Sequence, residues 1–343
     1  MAYTTIDKPT DYFDTNLVTG TTADQNITGM NFQPDWIWSK QRDATGSHRL
    51  VDSVRGTGKS IFSNGTDAEA TENNISSFNS DGYTLVGAGV MNENTKTYAQ
   101  WCWLAGGSAS SNSDGSITTS VSANTTAGFS IVSWVGNATG NATIGHGLGV
   151  KPKVFFCKNR TDVDSWVNWQ DTTNDGTADV RMNLNQTAAD RNDHFITFGT
   201  STITLPSSVD NGWNGSSDNM IGYCFAEKKG FSKFGSYTGN GDANDGTFVY
   251  TGFTPAWVMI KRTDSTSQWC IIDNKRPGYN IAVNTLFANL SDQEATDLGV
   301  NLLSNGFKED TTNNLGASGG TYVYMAFAES PFVSSKGIPT TAR

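Results

Sequence analysis

Short apolar runs, some alternating with polar residues, recur along the 343-residue chain. Runs such as "WIWSK" and "WVMIK" are rich in β-branched and aromatic residues, and each ends in a lysine. Asn-Gly, Asp-Gly and Gly-Asn pairs separate the runs at spacings typical of β-hairpins. This pattern predicts many short antiparallel strands. One stretch, Thr285–Gly299, predicts a short helix instead.

The pattern occurs three times in the same order. Each copy has a proline followed two residues later by Trp36, Val154 or Trp257. A lysine and an arginine close the strand, and an aspartate ends the next apolar run 12 or 13 residues after the lysine. These recurrent residues are Lys40, Arg42 and Asp52; Lys158, Arg160 and Asp171; and Lys261, Arg262 and Asp273. An Asp/Asn-Gly-aromatic turn and an aromatic strand then complete each copy.

A fixed order of landmarks is the signature of internal repeats. We therefore predict an all-β fold of three tandem, related β-sandwich units, jelly-roll-like, with short loops and little helix. The units span residues 1–107, 127–228 and 229–343, the last including a C-terminal tail. Residues 108–126 are rich in Ser, Thr, Gly and Asn, and we expect a linker or long loop there.

Composition excludes several function classes. The formal net charge is −10, and no Lys/Arg cluster has the density expected for binding nucleic acid. No apolar run reaches about 18 residues, so we expect no membrane insertion. The first residues lack a signal-peptide pattern, which predicts synthesis in a cytoplasm. The four cysteines show no zinc-site spacing and are expected to be buried thiols: Cys102, Cys157, Cys224 and Cys270.

Gly58, Lys59 and Ser60 are similar to the end of a phosphate-binding P-loop. That motif needs an earlier glycine where this chain has Ser53, and a helix where this chain has strand- and turn-like residues. Aligned on the repeat, Asp52 and Arg55 match Asp273 and Arg276. We therefore interpret the stretch as the exit of a repeated strand, with no cofactor.

The histidines and an Asp/Asn-rich turn are further candidates for chemistry, and each also has a structural explanation. The chain has no Gly-x-Ser-x-Gly elbow, so we expect its three histidines, His48, His146 and His194, to be structural. Asp242, Asn244 and Asp245 could offer oxygen ligands to calcium, but an Asx/Gly turn explains them and no metal site is predicted.

The recurrent cations and the tryptophans are the remaining candidates. We expect the cations to pair with the recurrent aspartates or to cover aromatic faces. Tryptophans on the surface could stack on the C–H faces of sugars. The candidates for such surface binding are Trp166, Trp169, Trp213 and Trp269.

Four stretches carry a resemblance to a known family: "KPTDYFDTNLVTG", "FQPDWIWSKQR", "FNSDGYTL" with "WCWLAGG", and "HGLGVKPKVFFCKNR". They resemble a repeat family in proteins of marine bacteriophages, commonly labelled tail-fibre-like or virion structural. The resemblance covers nearly the whole chain, and the second unit departs from it at "VDNGWNGSSDN".

This resemblance implies a viral structural protein of the virion that is not an enzyme. The favoured role is a tail fibre or adhesin for host attachment, contacting a host surface glycan or protein. The alternative is a capsid decoration or another architectural subunit that binds other phage virion proteins. A polysaccharide depolymerase ranks last. A homo-oligomer is expected for this class.

Overall fold

The computed structural model describes residues 3–87, 89–277, 280–296, 298–312 and 314–340. Within these residues the chain forms 27 strands, a 3-10 helix at Pro9–Asp11 and one α-helix, α1, at Asn211–Asn214. All ladders between these strands are antiparallel, and the predicted all-β fold class is confirmed.

The first sandwich contains nine strands: β1 (Phe13–Thr19), β2 (Gln25–Ile27), β3 (Trp36–Gln41), β4 (Arg49–Asp52), β5 (Lys59–Ser60), β6 (Ala70–Thr71), β7 (Ile75–Asn79), β8 (Gly82–Leu85) and β9 (Thr97–Trp103). Its large sheet has the order β1-β9-β3-β4, its small sheet has the order β2-β8-β7, and β5 pairs with β6. Ile37 and Val51 of the large sheet share an apolar cluster with Leu85 of the small sheet.

The second sandwich contains ten strands: β10 (Ser110–Asn112), β11 (Thr119–Asn124), β12 (Phe129–Val135), β13 (Thr143–Gly145), β14 (Val154–Asn159), β15 (Val167–Gln170), β16 (Val180–Met182), β17 (Thr197–Phe198), β18 (Thr202–Thr204) and β19 (Asn219–Phe225). Its large sheet has the order β10-β11-β12-β19-β14-β15-β16, and its small sheet has the order β13-β18-β17. Phe155 and Trp169 of the large sheet pack in one cluster with Ile203 of the small sheet.

The third sandwich contains eight strands: β20 (Ser232–Thr238), β21 (Phe248–Tyr250), β22 (Phe253–Arg262), β23 (Cys270–Asp273), β24 (Leu286–Phe287), β25 (Val300–Leu303), β26 (Gly306–Glu309) and β27 (Thr321–Pro331). Its large sheet has the order β20-β27-β22-β23-β24, and its small sheet has the order β21-β26-β25. Val258 and Ile260 of the large sheet pack in one cluster with Phe307 of the small sheet.

One strand order is common to the three sandwiches. It reads β1-β9-β3-β4 in the first, β12-β19-β14-β15 in the second and β20-β27-β22-β23 in the third. The small sheets repeat it as β2-β8-β7, β13-β18-β17 and β21-β26-β25. The division of the chain into three tandem repeat units stays a prediction, which this shared order supports.

Two expectations about local structure are wrong. Residues 108–126 are not a simple linker or loop, because β10 and β11 lie there and β11 extends the large sheet beside β12. Val121 of β11 is buried in the second sandwich. The polar composition of the segment did not indicate a strand, because only one face of this strand packs against the core. The described residues of Thr285–Gly299 form no helix: β24 lies there, and Thr285 bridges to Ala295.

The three large sheets turn their other faces toward one shared core. Trp36 of β3 stacks on Tyr223 of β19 with ring centroids 4.4 Å apart. Trp103 of β9 meets Trp257 of β22 edge to face at 5.7 Å. Both faces of the central strands are therefore buried, which explains why several apolar runs are continuous rather than alternating.

Candidate functional site

The recurrent lysines lie in this interior. Lys40, Lys158 and Lys261 are at most 1% exposed. Each Nζ donates a hydrogen bond to the carbonyl oxygen of the following residue, over 2.6, 2.7 and 2.5 Å respectively. Burial lowers the pKa of each ammonium to about 8.

The expected pairing of these lysines with the recurrent aspartates is wrong, and the strand register explains why. Asp52 lies opposite Trp36, and Lys40 is four residues further along β3. At about 3.3 Å per residue, that places the lysine about 13 Å from the register position of the aspartate. The third sandwich has the same register, with Asp273 opposite Trp257.

The partner of Asp52 and of Asp273 is the arginine three residues later. Arg55 Nε lies 2.5 Å from the Asp52 carboxylate, and Arg276 Nε lies 2.6 Å from that of Asp273. All four side chains are fully buried in these two pairs. The alignment of the repeats matched Asp52 and Arg55 with Asp273 and Arg276, and in the fold each matched aspartate and arginine form an ion pair.

Asp171 does not take part in the same arrangement. Val154 lies opposite Gln170, so Gln170 holds the register position of Asp52 and Asp273. The Asp171 carboxylate instead accepts backbone hydrogen bonds from Asn174 and Gly176 in the following turn. The sequence spacing, one residue longer in this copy, was the signal for this difference.

The recurrent arginines do form ion pairs, with carboxylates other than the recurrent ones. Arg42 Nε is 3.0 Å from Glu294. Arg160 Nε is 2.7 Å from Glu69. Both pairs connect two different sandwiches, and in each the neighbouring guanidinium groups lower the pKa of the glutamate against the opposing effect of burial.

The third recurrent arginine makes local contacts. Arg262 Nε lies 2.8 Å from Asp264, two residues away, and its guanidinium lies 6.0 Å from the Tyr322 ring centroid. This contact is of the kind expected for a recurrent cation that covers an aromatic face.

The four tryptophans proposed for surface binding are buried, so that prediction is wrong. Trp169 Nε1 donates to His194 O over 2.9 Å, and Trp213 Nε1 donates to Ser208 O over 3.0 Å. Trp166 and Trp269 also donate to carbonyl groups, across sandwich boundaries. A tryptophan can be buried at low free-energy cost when its N–H has such a partner, and its sequence neighbourhood does not show whether it has one.

A set of contacts that sequence reasoning missed joins the sandwiches in a closed cycle. Trp166 Nε1 donates to Phe62 O over 2.8 Å, and Trp269 Nε1 donates to Asn183 O over 3.1 Å. His48 Nε2 lies 2.9 Å from Phe287 O. These contacts link the second sandwich to the first, the third to the second and the first to the third.

Backbone hydrogen bonds repeat the same cycle. Three donors are the backbone N–H groups two residues before His48, Trp166 and Trp269. Their bonds are Gly46 N to Ser291 O at 2.8 Å, Asp164 N to Thr66 O at 2.8 Å and Ser267 N to Thr187 O at 2.9 Å. Three further bonds are Glu69 N to Arg160 O, Asp190 N to Thr263 O and Glu294 N to Arg42 O. We call these six bonds and the three ring contacts the inter-sandwich ring. It holds the three sandwiches as one body.

The histidines belong to hydrogen-bonded structure, as expected. Trp38 Nε1 donates to His48 Nδ1 over 2.8 Å, which makes Nε2 the protonated nitrogen facing Phe287 O. Burial lowers the pKa of His48 well below its usual range and lowers that of His146 to about 4. All four cysteines are buried, as predicted.

The motifs considered for phosphate and calcium form local structure. Lys59 lies in β5 and donates to Thr71 Oγ1 over 2.9 Å. The Asp242 carboxylate accepts hydrogen bonds from the backbone of Asn244 and Asp245, forming an Asx turn. Among the described residues, no group of three or more His, Cys, Asp and Glu side chains is arranged to hold a metal ion.

A cleft of about 630 Å³ lies where the second and third sandwiches meet. Five of the 23 basic residues of the chain line it, and Glu227 is its acidic residue. The five are Lys151, Lys153, Lys228, Lys229 and Lys233. We call this the lysine cleft. It has an excess of positive charge on a chain whose net charge is −10.

Comparison with protein families identifies a match over most of the chain. Residues 8–331 match the model described as "Domain of unknown function (DUF7483)". The chain belongs to the DUF7483 family. No curated protein and no solved structure matches it.

The DUF7483 match extends across all three sandwiches, ending at the last residue of β27. The family domain therefore includes the inter-sandwich ring and the five lysines of the lysine cleft, whereas Tyr3, which also lines the cleft, lies before the matched residues. In the described part of this DUF7483 chain, no helix has the length and apolar character needed to span a membrane.

Proposed function

We propose that this DUF7483 chain is a non-enzymatic bacteriophage virion protein of the tail-fibre or adhesin type, which contacts the host surface. The observation that carries this proposal is the separation of its charges. Apart from Arg262, the repeated charges are buried or half-buried inside and between the sandwiches, whereas the lysine cleft presents an excess of charge at the surface.

The interior supports a structural role. Arg55 pairs with a carboxylate of its own sandwich and also contacts Glu69 over 3.3 Å, and Glu69 in turn pairs with Arg160 of the second sandwich. Arg276 does the same with Glu294 over 3.0 Å, and Glu294 pairs with Arg42 of the first sandwich. Residue types that could serve acid–base chemistry therefore stabilise the assembly of the three sandwiches. A rigid body of this kind suits a particle component that must keep its shape while bound.

The resemblance of the repeat motifs to phage tail-fibre-like proteins supports the virion location. The cleft supports host contact, because concave sites with a few convergent polar groups are the usual form of ligand sites. Several copies in one particle would strengthen weak binding through avidity.

A specific observation favours the architectural alternative as the second candidate. Among the described strands, β1 and β20 each have one neighbour in their sheets, whereas β11 covers the equivalent edge of β12. An open strand edge offers unpaired backbone groups to another chain. A capsid-decoration or tail subunit could bind a neighbouring virion protein there.

Electron cryomicroscopy of the intact particle tests the proposal. We expect a few copies at the tail, together with saturable binding of the labelled protein to host cells. A shell-wide position would favour decoration instead. Absence of the protein from purified particles, measured by mass spectrometry, would overturn both candidates.

A further inference from the structure

We propose that the lysine cleft binds an acidic oligosaccharide, with lysine ammonium groups on its carboxylate or sulfate groups and tyrosine rings on its sugar faces. This inference deepens the proposed host contact and rests on it for the biological source of the ligand. The binding chemistry itself follows from the residues of the cleft.

The first argument is the charge balance inside the cleft. Glu227 bridges two of the lysines, at 3.2 Å from Lys153 Nζ and 2.6 Å from Lys233 Nζ. Since one carboxylate neutralises at most one ammonium charge, the five lysines retain a formal excess of four. Clustering like charges is unfavourable, and an anionic ligand would relieve the repulsion.

The second argument is the state of the three remaining lysines. Among the described residues, no carboxylate lies within 4.0 Å of the Nζ of Lys151, Lys228 or Lys229. Lys151 donates to the carbonyl oxygen of Asp175 over 3.2 Å. Lys229 Nζ lies 4.3 Å from the centroid of the Tyr3 ring.

Lys228 is the least compensated of these cations. Its Nζ has no hydrogen-bond or ion-pair partner among the described residues, and burial lowers its pKa. The side chain lies across Gly128, where a Cβ atom would come within 2.9 Å of Lys228 Cε. An ammonium group without a counter-ion in the cleft can form a charge-assisted hydrogen bond with an external anion.

The third argument is the aromatic wall of the cleft. Tyr3 Oη donates to Gly252 O over 2.8 Å and lies 3.5 Å from Tyr250 Oη. Gly252 has a φ of +82°, and a Cβ atom there would lie 2.6 Å from Tyr3 Oη, so glycine makes this contact possible. The Tyr250 side chain is 54% exposed, which leaves ring surface for the C–H face of a sugar.

The combination favours a saccharide over a nucleic acid. The five clustered lysines lie in one cleft, whereas a nucleic acid strand would also face the surrounding surface of a chain with net charge −10. A volume of about 630 Å³ lies within the range of small-ligand sites. Charged groups spaced by neutral sugar rings match lysines interleaved with tyrosines.

The test is isothermal titration calorimetry of the whole chain with four probes. They are a hexasaccharide of alternating glucuronic acid and N-acetylglucosamine, its sulfated form, a neutral glucose hexasaccharide and a thymidine hexanucleotide. We expect an acidic hexasaccharide to bind at least tenfold more tightly than the neutral one and the hexanucleotide, and added salt to weaken its binding. The proposal would be overturned if neither acidic hexasaccharide bound. It would also be overturned if the neutral hexasaccharide or the hexanucleotide bound as tightly as the acidic ones, or more tightly.

Variants locate the site. We expect the double change Lys228→Gln and Lys229→Gln, and separately Tyr250→Leu, to weaken acidic-saccharide binding at least tenfold. The matched control, Lys96→Gln with Lys275→Gln, removes the same charge outside the cleft and should leave binding within twofold. Unchanged circular dichroism and melting temperature verify folding. Equal affinity of the cleft variants and wild type would overturn the assignment of the site.

The failure of this inference is distinguishable from failure of the proposed function. If neither acidic probe binds while the wild type adsorbs to host cells, the acidic-saccharide site is wrong while host contact stands. If wild type binds the acidic probes but neither adsorbs to host cells nor occurs in the particle, the cleft assignment stands and the proposed function fails.

Discussion

Trp101 donates its indole N–H to the carboxylate of Asp273 over 2.9 Å, joining the first sandwich to the third. Tyr223 makes the equivalent bond to Asp52 over 2.7 Å, joining the second sandwich to the first. At the boundary of the second and third sandwiches, the equivalent register positions hold Gln170 and Met325. Two boundaries are thus fixed by buried ion pairs with an aromatic donor, and the other boundary lacks this arrangement.

The first prediction concerns the buried ion pair of the third sandwich. Arg276→Met leaves the Asp273 carboxylate buried without its guanidinium, because both side chains are fully buried. We expect the free energy of unfolding to fall by about 3–5 kcal/mol, measured by urea denaturation.

Arg262→Met is the matched control for Arg276→Met. Its partner Asp264 is a partly exposed neighbour, so we expect a change of at most about 1 kcal/mol. Equal losses in the two variants would contradict the structural importance of the buried pair.

The second prediction isolates one bond of the inter-sandwich ring. Trp269→Phe removes the N–H that reaches Asn183 O over 3.1 Å. Trp257→Phe is the control, since Trp257 Nε1 is buried with no hydrogen-bond partner among the described residues. Both changes remove a similar part of a buried ring.

Asn183 O keeps a hydrogen bond from Gln186 N in both variants. Because only Trp269→Phe removes a hydrogen bond, we expect it to destabilise the protein by about 0.5–1.5 kcal/mol more than Trp257→Phe. The melting temperatures and urea midpoints of the two variants measure this difference. A larger loss in Trp257→Phe would contradict the role assigned to Trp269.

The third prediction is a loss of stability as pH falls below about 6.5. The pKa of His48 is lowered in the folded state, so the unfolded state takes up a proton first as pH falls. The free energy of unfolding should then decrease by up to about 1.4 kcal/mol per pH unit for this group, with His146 acting in the same direction.

Urea titrations between pH 5 and 7.5 measure the slope, and His48→Gln should reduce it. Burial raises the folded-state pKa of Asp14, Asp35, Asp164 and Glu309, so these carboxyl groups act in the opposite direction, and the difference between wild type and His48→Gln isolates the histidine. The same slope in wild type and His48→Gln would contradict a buried neutral His48.

The fourth prediction concerns Lys40, Lys158 and Lys261, whose pKa values are lowered to about 8. As pH rises through 8, the folded state releases these protons while the unfolded state keeps them until about 10.4, so their contribution to stability increases over this interval. NMR of the ¹³Cε signals of labelled lysine should show three midpoints near pH 8, and each Lys→Met variant should remove one. Midpoints all above pH 10 would contradict the burial of these charges.

The sequence was sufficient to predict an all-β chain and to find the recurrent residues, because strand periodicity, turn residues and repeat order are local features. Partner choice was not local. Lys40 and Asp52 are close in sequence, but the register of β3 and β4 separates them, while Arg55 turns back onto the aspartate. The repeats identified these residues as important, but the sequence pattern alone does not distinguish a surface site from an interface between sandwiches.

The tryptophans show the same limit. Trp166 and Trp269 are buried because carbonyl groups of another sandwich accept their N–H groups, a pairing that no local pattern encodes. The lysine cleft also escaped prediction, since its lysines come from separate segments that meet only in the fold. Only "EKKGFSK" (227–233) showed a local concentration of lysine.

The central claim is that the inter-sandwich ring holds three sandwiches as one body. Amide hydrogen exchange by NMR tests it at the donors that cross the boundaries, Gly46, Asp164 and Ser267. We predict that these amides exchange only through global unfolding, with the same protection free energy as Met259 inside β22. Exchange at the three boundary amides that is faster by orders of magnitude, while Met259 stays protected, would show that the sandwiches separate independently and would contradict the account.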